Sequence, residues 1–150
     1  MKLFNPIAYY THYRRSITNR KNSECYIENG DIIIIKKTST CITTKEQGQF
    51  TKGRYTNKTV NYYQWQLINQ HYLQLSHLRN PDQTAELLTT FILTNDSKRI
   101  TNLNTYNCAQ DSYTAHLAYH NDKLILVWDI KGPKKNLLIE STYFSHKKKL

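Results

Sequence analysis

Two stretches of every-second-residue alternation, separated by a polar turn, constrain the fold of this chain more than anything else in it. From Asp111 to His120, Tyr113, Ala115, Leu117 and Tyr119 fall on one face and Thr114, His116, Ala118 and His120 on the other. That period of two belongs to a half-buried strand; a helix would space its apolar residues three and four apart. After Asn121-Asp122-Lys123, the run to Lys131 sets Leu124, Leu126, Trp128 and Ile130 against Ile125, Val127, Asp129 and Lys131. Two such runs with a short connection predict an antiparallel hairpin. Gly132-Pro133 breaks the pattern, and a last extended run, Leu137 to His146, closes the chain.

The same grammar recurs upstream. Residues 1–10 are a lead-in in which Tyr9-Tyr10 form a helical turn or a cap over the end of a barrel. Thr11 to Thr18 is strand-like, and Asn19 to Asn22 is a turn. Asn29-Gly30 is the strongest short hairpin signal, since a tight primed turn needs positive φ, and it predicts strands Glu24 to Glu28 and Asp31 to Lys37. Ile32 to Ile35 reads as a strand buried on both faces or covered by a neighbour, with Thr38 to Thr44 continuing the sheet. A turn at Asn57-Lys58 separates Gln49 to Thr56 from Thr59 to Ile68, whose Tyr63, Trp65 and Leu67 share a face. Asn69-Gln70 leads into His71 to Leu78, and Leu73, Leu75, His77 and Arg79 are placed on one face. Ala85 to Thr94 mixes helix and strand formers and is assigned as strand because its neighbours are strands. Asn95-Asp96-Ser97 turns, and Lys98 to Asn107 pairs weakly. Short strands at roughly ten-residue intervals predict an all-β sandwich or barrel.

At 150 residues the chain reads as one domain, 1–150, able to bury about 70% of its unfolded surface without covalent staples. Three cysteines, Cys25, Cys41 and Cys108, give no even framework and no Cys-x-x-Cys spacing, which favours a reducing cytoplasm over a disulfide or zinc scaffold. No signal-peptide core opens the sequence and no run reaches bilayer-spanning length. The formal charge of +10, from 21 basic and 11 acidic residues, attracts polyanions in general. The basic pairs Arg14-Arg15, Arg20-Lys21, Lys36-Lys37 and Lys134-Lys135 and the tail 147–150 are scattered, which favours a solvated surface over a nucleic-acid face.

Catalytic motifs are missing. There is no Gly-x-Ser-x-Gly elbow, and four dispersed glycines cannot build a phosphate-binding loop, so neither a cofactor nor a catalytic residue is assigned. His116 and His120 would be about 13 Å apart on a strand, too far to share a metal ion. Cys108 reads as a small buried hydrophobe more readily than as a nucleophile. Twelve tyrosines and two tryptophans on the apolar faces read as core and lining rather than as an outward stacking platform.

Cys108-Ala109-Gln110-Asp111-Ser112-Tyr113, then Trp128, Gly132-Pro133-Lys134-Lys135 and Thr142-Tyr143, together with Tyr63-Gln64-Trp65, resemble the "domain of unknown function 6314" family. Tyr106 stands where that family has His, Asn136-Leu137 where it has Asp-Tyr, and Ser145 where it has Arg. The resemblance implies an all-β fold: a single antiparallel lipocalin-like (calycin-like) β-barrel of about eight to ten strands. A barrel of that size is either filled by side chains or holds one small ligand. Tyr63, Trp65, Leu75, Tyr113, Trp128 and Tyr143 would wall such a cavity, and His77, Arg79, Asp111 and Ser141 would be its polar groups. Lys134 and Lys135, in the family's Gly-Pro-Arg-Lys position, would guard the mouth. An inward Arg79 would need an anionic partner, either Asp111 or an acidic ligand.

The expectation is therefore a cytoplasmic binder of a small, mostly apolar or amphipathic molecule, with an acidic head group as one option and Arg79 or Lys134 as its partner. Two alternatives stand beside it. One is an isomerase or cyclase using Tyr113, Asp111 or His77 to move a proton in the same cavity; the other is a basic module for RNA or a protein partner.

Overall fold

The structure, a computed structural model, describes residues 7–93, 99–101, 106–108 and 111–145. The expected turn at Asn95-Asp96-Ser97, the side chain of Cys108 and the tail 147–150 lie outside the described residues. Eleven strands form one antiparallel sheet: β1 (His12–Asn19), β2 (Glu24–Lys37), β3 (Cys41–Lys52), β4 (Tyr55–Ile68), β5 (Tyr72–Leu78), β6 (Glu86–Ile92), β7 (Arg99–Thr101), β8 (Tyr106–Cys108), β9 (Asp111–His120), β10 (Lys123–Lys131) and β11 (Asn136–Phe144). The order β6-β5-β4-β3-β2-β1-β11-β10-β9-β7 makes every neighbour sequential except where β1 pairs β11 and β9 pairs β7, and β8 adds to β9. β6 and β7, the two edges of the sheet, come into contact, so the sheet wraps into a nearly closed β-barrel. The all-β barrel class holds; β7 and β8 are three-residue pieces beside nine longer strands. Among the described residues no helix is long and apolar enough to cross a membrane.

The turns show which local signals hold. Asn121 and Asp122 both have positive φ (50° and 61°) and connect β9 to β10 as a tight two-residue turn, one residue shorter than the spacing predicts. Asn69 and Gln70 also have positive φ, as expected. Asn29-Gly30 is not a turn. β2 runs straight through it, with Tyr13 facing Gly30 on one side and Gly48 facing it on the other. A Cβ on Gly30 would come within 2.5 Å of the Gly48 Cα, and one on Gly48 within 2.6 Å of the Tyr13 hydroxyl. These glycines exist so that two strands can approach beneath a buried tyrosine ring, a use of glycine that tertiary packing selects.

The Asn57-Lys58 turn is likewise overturned. Both residues pair within the β3–β4 ladder, opposite Phe50 and Gln49, and the chain reverses at Gly53-Arg54, where Gly53 supplies φ +59°. Nor is the isoleucine run covered on both faces. Ile32 and Ile34 pack against the core, while Ile33 and Ile35 are exposed.

The strands run alternately between two barrel ends, and the interior differs between them. At the end holding the β4–β5 and β9–β10 turns, Ile42, Trp65, Leu67, Leu73, Phe91, Leu117 and Leu124 fill the barrel with side chains at most 5% exposed. Ile7, in a helical turn, and Tyr10 after it cover that end and join the same core, while Tyr9 is exposed, so the lead-in caps the barrel through Ile7 and Tyr10 and not through Tyr9. The other half is hollow.

Candidate functional site

The hollow half is a cavity of about 420 Å³. Period-two alternation on six strands sends its lining inward: Ile17 from β1, Tyr63 from β4, Leu75 from β5, Tyr113 from β9, Leu126, Trp128 and Ile130 from β10, and Ile139 and Tyr143 from β11. β6 contributes three consecutive residues, Glu86, Leu87 and Leu88. The β5–β6 register shifts between Leu75 and Ser76, so Leu88 is the extra residue of a bulge, a distortion common at barrel rims.

Its polar wall is built on Arg15. The Arg15 Nε donates to Ser141 Oγ at 2.7 Å, and Nη2 donates to Glu46 Oε1 at 2.7 Å and to the Tyr143 hydroxyl at 3.4 Å. Nη1 reaches Glu28 Oε1 at 3.4 Å and Oε2 at 3.5 Å. Glu28 Oε2 also accepts from Thr59 Oγ1 at 3.0 Å and from the Tyr13 hydroxyl, and the guanidinium lies 5.0 Å from the Tyr13 ring centroid. Arg15, Glu28 and Glu46 are all buried, and Arg15, Glu28 and Ser141 line the cavity. Burial pushes the Glu46 carboxyl above its ordinary range, with Arg15 pulling the other way. Burial also raises the Tyr63 phenol to about 12 and, with the nearby Glu46, carries Tyr143 well above its usual value. Arg15 stays charged: burial opposes its cation, and Tyr143, Glu46, Tyr63 and Glu28 outweigh that.

Six of the residues expected at the site fall in this cavity: Tyr63, Leu75, Tyr113, Trp128, Ser141 and Tyr143. Trp65 lies deeper, edge-on to Tyr143 at 6.4 Å between ring centroids, beside a much smaller void under Ile7 and Tyr10. His77 is half-buried, packs edge-on against Tyr63 at 5.5 Å and does not reach the lining. Arg79 is exposed one residue past the end of β5, so it is neither the cavity's cation nor the partner of Asp111. Its apparent place in the alternation fails because the ladder ends at Leu78.

Asp111 is buried but serves the β10–β11 turn. Its Oδ1 accepts from the backbone N–H groups of Lys134 and Lys135 at 3.3 and 3.4 Å, and it lies so close to Gly132 that a Cβ there would be 2.7 Å from its Cα. Asp111, His77 and Tyr113 therefore do not converge on one reacting centre. Lys134 is exposed and is held by its backbone; Lys135 stands at the mouth, with Nζ 3.3 Å from the Tyr113 hydroxyl and 5.9 Å from its ring centroid. Among the described residues no cluster of His, Cys, Asp and Glu could hold a metal.

Arg15, Glu28 and Glu46 are absent from the sequence-based site. The signal for Arg15 is present, because the inward alternation Tyr13-Arg15-Ile17 places a charge between two apolar residues on one face. For Glu28 it is masked by Asn29-Gly30, which reads locally as a turn.

The model of the family described as "Family of unknown function (DUF6314)" matches residues 11–145. No curated protein matches the chain. Similar solved structures include a redesigned β-barrel, mFAP1, bound to DFHBI, 9% identical with a TM-score of 0.44 over 93% of this chain and 96% of that one. Another is EF1p2_mFAP2b bound to DFHBI, 11% identical with a TM-score of 0.44 over 91% of this chain and 92% of the other.

Proposed function

We propose that this chain, which belongs to the family of unknown function DUF6314, is a small-molecule binding protein that holds a mostly apolar ligand in the hollow half of its barrel. The observation that carries this reading is the cavity of about 420 Å³, with apolar and aromatic walls and a few buried polar groups gathered on one side. Ligand sites in proteins have this size and composition. Unfilled apolar space forfeits the dispersion contacts that the capped half of the same barrel makes, so a barrel serving stability alone would be packed through. The ligand's apolar body lies among Leu75, Leu126, Trp128 and Ile139, with its polar end toward Arg15, Ser141 and Tyr143. Cys25 and Cys41 are free thiols, which suits a reducing compartment, and a cytoplasmic location is part of the proposal.

The neutral dye N-phenyl-1-naphthylamine tests it. Fluorescence titration of the wild type is expected to show saturable binding. Ile139→Trp, which puts a larger ring into the lining, is expected to lose it while keeping the circular dichroism of the fold. A wild type that leaves the dye in water, or a variant that binds it unchanged, would refute the reading. Native mass spectrometry against the denatured mass then looks for a co-purifying molecule.

A further inference from the structure

The charges around the cavity are unbalanced, and the imbalance selects among ligands. Resting on the binding reading above, we infer that the ligand is an apolar molecule carrying a protonated amine, and not a carboxylic acid. Among the described residues lining the cavity, Arg15 is the single cation, while Glu28 and Glu86 are acids. Glu46 sits against the far side of the same guanidinium, at 2.7 Å. Two buried carboxylates thus face one buried cation, while at the rim the acid Glu86 and the Lys135 ammonium offset one another.

Arg15 has little left to offer an acid. Its Nε and Nη2 hydrogens are engaged by Ser141, Glu46 and Tyr143, and Nη1 points toward Glu28. A ligand carboxylate could take at most the second Nη1 hydrogen; a paired, two-hydrogen contact would displace one of these acceptors and leave a buried negative charge unpaired, which is costly. Glu28 has capacity to spare. Its Oε2 accepts from Tyr13 and Thr59, whereas Oε1 takes one long bond from Arg15 at 3.4 Å, and a carboxylate oxygen can accept two.

The surrounding rings complete the match. Tyr63, Tyr113, Trp128 and Tyr143 line the same space, and aromatic faces attract cations, more strongly when desolvated. At the rim, the Lys135 ammonium already occupies one such face, that of Tyr113.

Three probes with one apolar body decide the question: 4-phenylbutylamine, 4-phenylbutanol and 4-phenylbutanoate, titrated at pH 7 and followed by calorimetry and by the indole N–H resonance of Trp128. The amine is expected to bind at least about tenfold more tightly than the acid, with the alcohol between, since one charge-assisted hydrogen bond is worth about that factor or more. Glu28→Gln is expected to remove most of the amine's advantage over the alcohol. Tightest binding of the acid, or equal binding of amine and alcohol, overturns the inference and leaves the cavity reading standing. Failure of all three to bind sinks the cavity reading and this inference with it. The comparison on wild-type protein needs no substitution, so a Glu28 variant that did not fold would not blunt it.

Discussion

Replacing Arg15 with Met tests whether the buried ion cluster is organised as its geometry implies. The change keeps most of the aliphatic stem and removes the guanidinium that lies among Glu28, Glu46, Tyr63 and Tyr143. Glu46 loses its 2.7 Å partner, Glu28 loses its contacts at 3.4 and 3.5 Å, and both carboxylates stay buried. Stranding a buried charge in this way costs about 3–5 kcal/mol. With a urea m-value of about 2 kcal/mol/M, that is a midpoint lowered by about 1.5–2.5 M. The loss should depend on pH in a definite direction. Without Arg15 the folded-state pKa of Glu46 rises still further above its unfolded value, so the folded form holds its proton more tightly. Stability is then present below the unfolded pKa and is lost as pH rises through the folded one. Arg15→Met should therefore lie nearest the wild type at about pH 4 and furthest from it at about pH 7. The triple change Arg15→Met, Glu28→Gln, Glu46→Gln should recover much of the loss, since it removes the stranded charges themselves. A single-variant cost under about 1 kcal/mol, or one that does not vary with pH, would refute the reasoning.

Further outcomes follow from the same geometry. Because burial raises the Glu46 carboxyl, its contribution to wild-type stability falls as pH rises above the unfolded value, and Glu46→Gln should gain on the wild type from pH 4 to pH 7 in urea melts. Gly48→Ala drives a methyl into the Asn29 carbonyl and to 2.6 Å from the Tyr13 hydroxyl, and should cost at least about 2 kcal/mol. Gly53→Ala meets open space but keeps φ +59°, and should cost only about 1 kcal/mol; equal losses at the two sites would count against the packing role of Gly48. Tyr10→Phe removes a buried hydroxyl that has no hydrogen-bond partner among the described residues, so its thermal midpoint should hold or rise. Arg79→Ala, at an exposed position, should leave both stability and dye binding within error of the wild type.

The all-β class and the last three long strands were legible in the sequence, because period-two alternation is a local property that burial on one face enforces. β9, β10 and β11 and the Asn121-Asp122 turn follow from residues adjacent in the chain, as does the inward row Leu126-Trp128-Ile130. Tyr63, Tyr113, Trp128 and Tyr143 were legible as lining for the same reason. Features that depend on a partner far along the chain could not be read locally. Asn29-Gly30 carries the chemistry of a turn, yet Gly48 and Tyr13 on neighbouring strands recruit it into a ladder. Arg79 continues an alternation on paper and leaves the barrel where pairing ends, while Asp111 is drawn to the backbone of a turn 23 residues away. The charged heart of the site joins Arg15, Glu28, Glu46 and Ser141 from four strands. A buried cation is stable only where carboxylates and hydroxyls meet it in space: the β1–β2 and β2–β3 ladders bring Glu28 and Glu46 to Arg15, and the pairing of β1 with β11 brings Ser141.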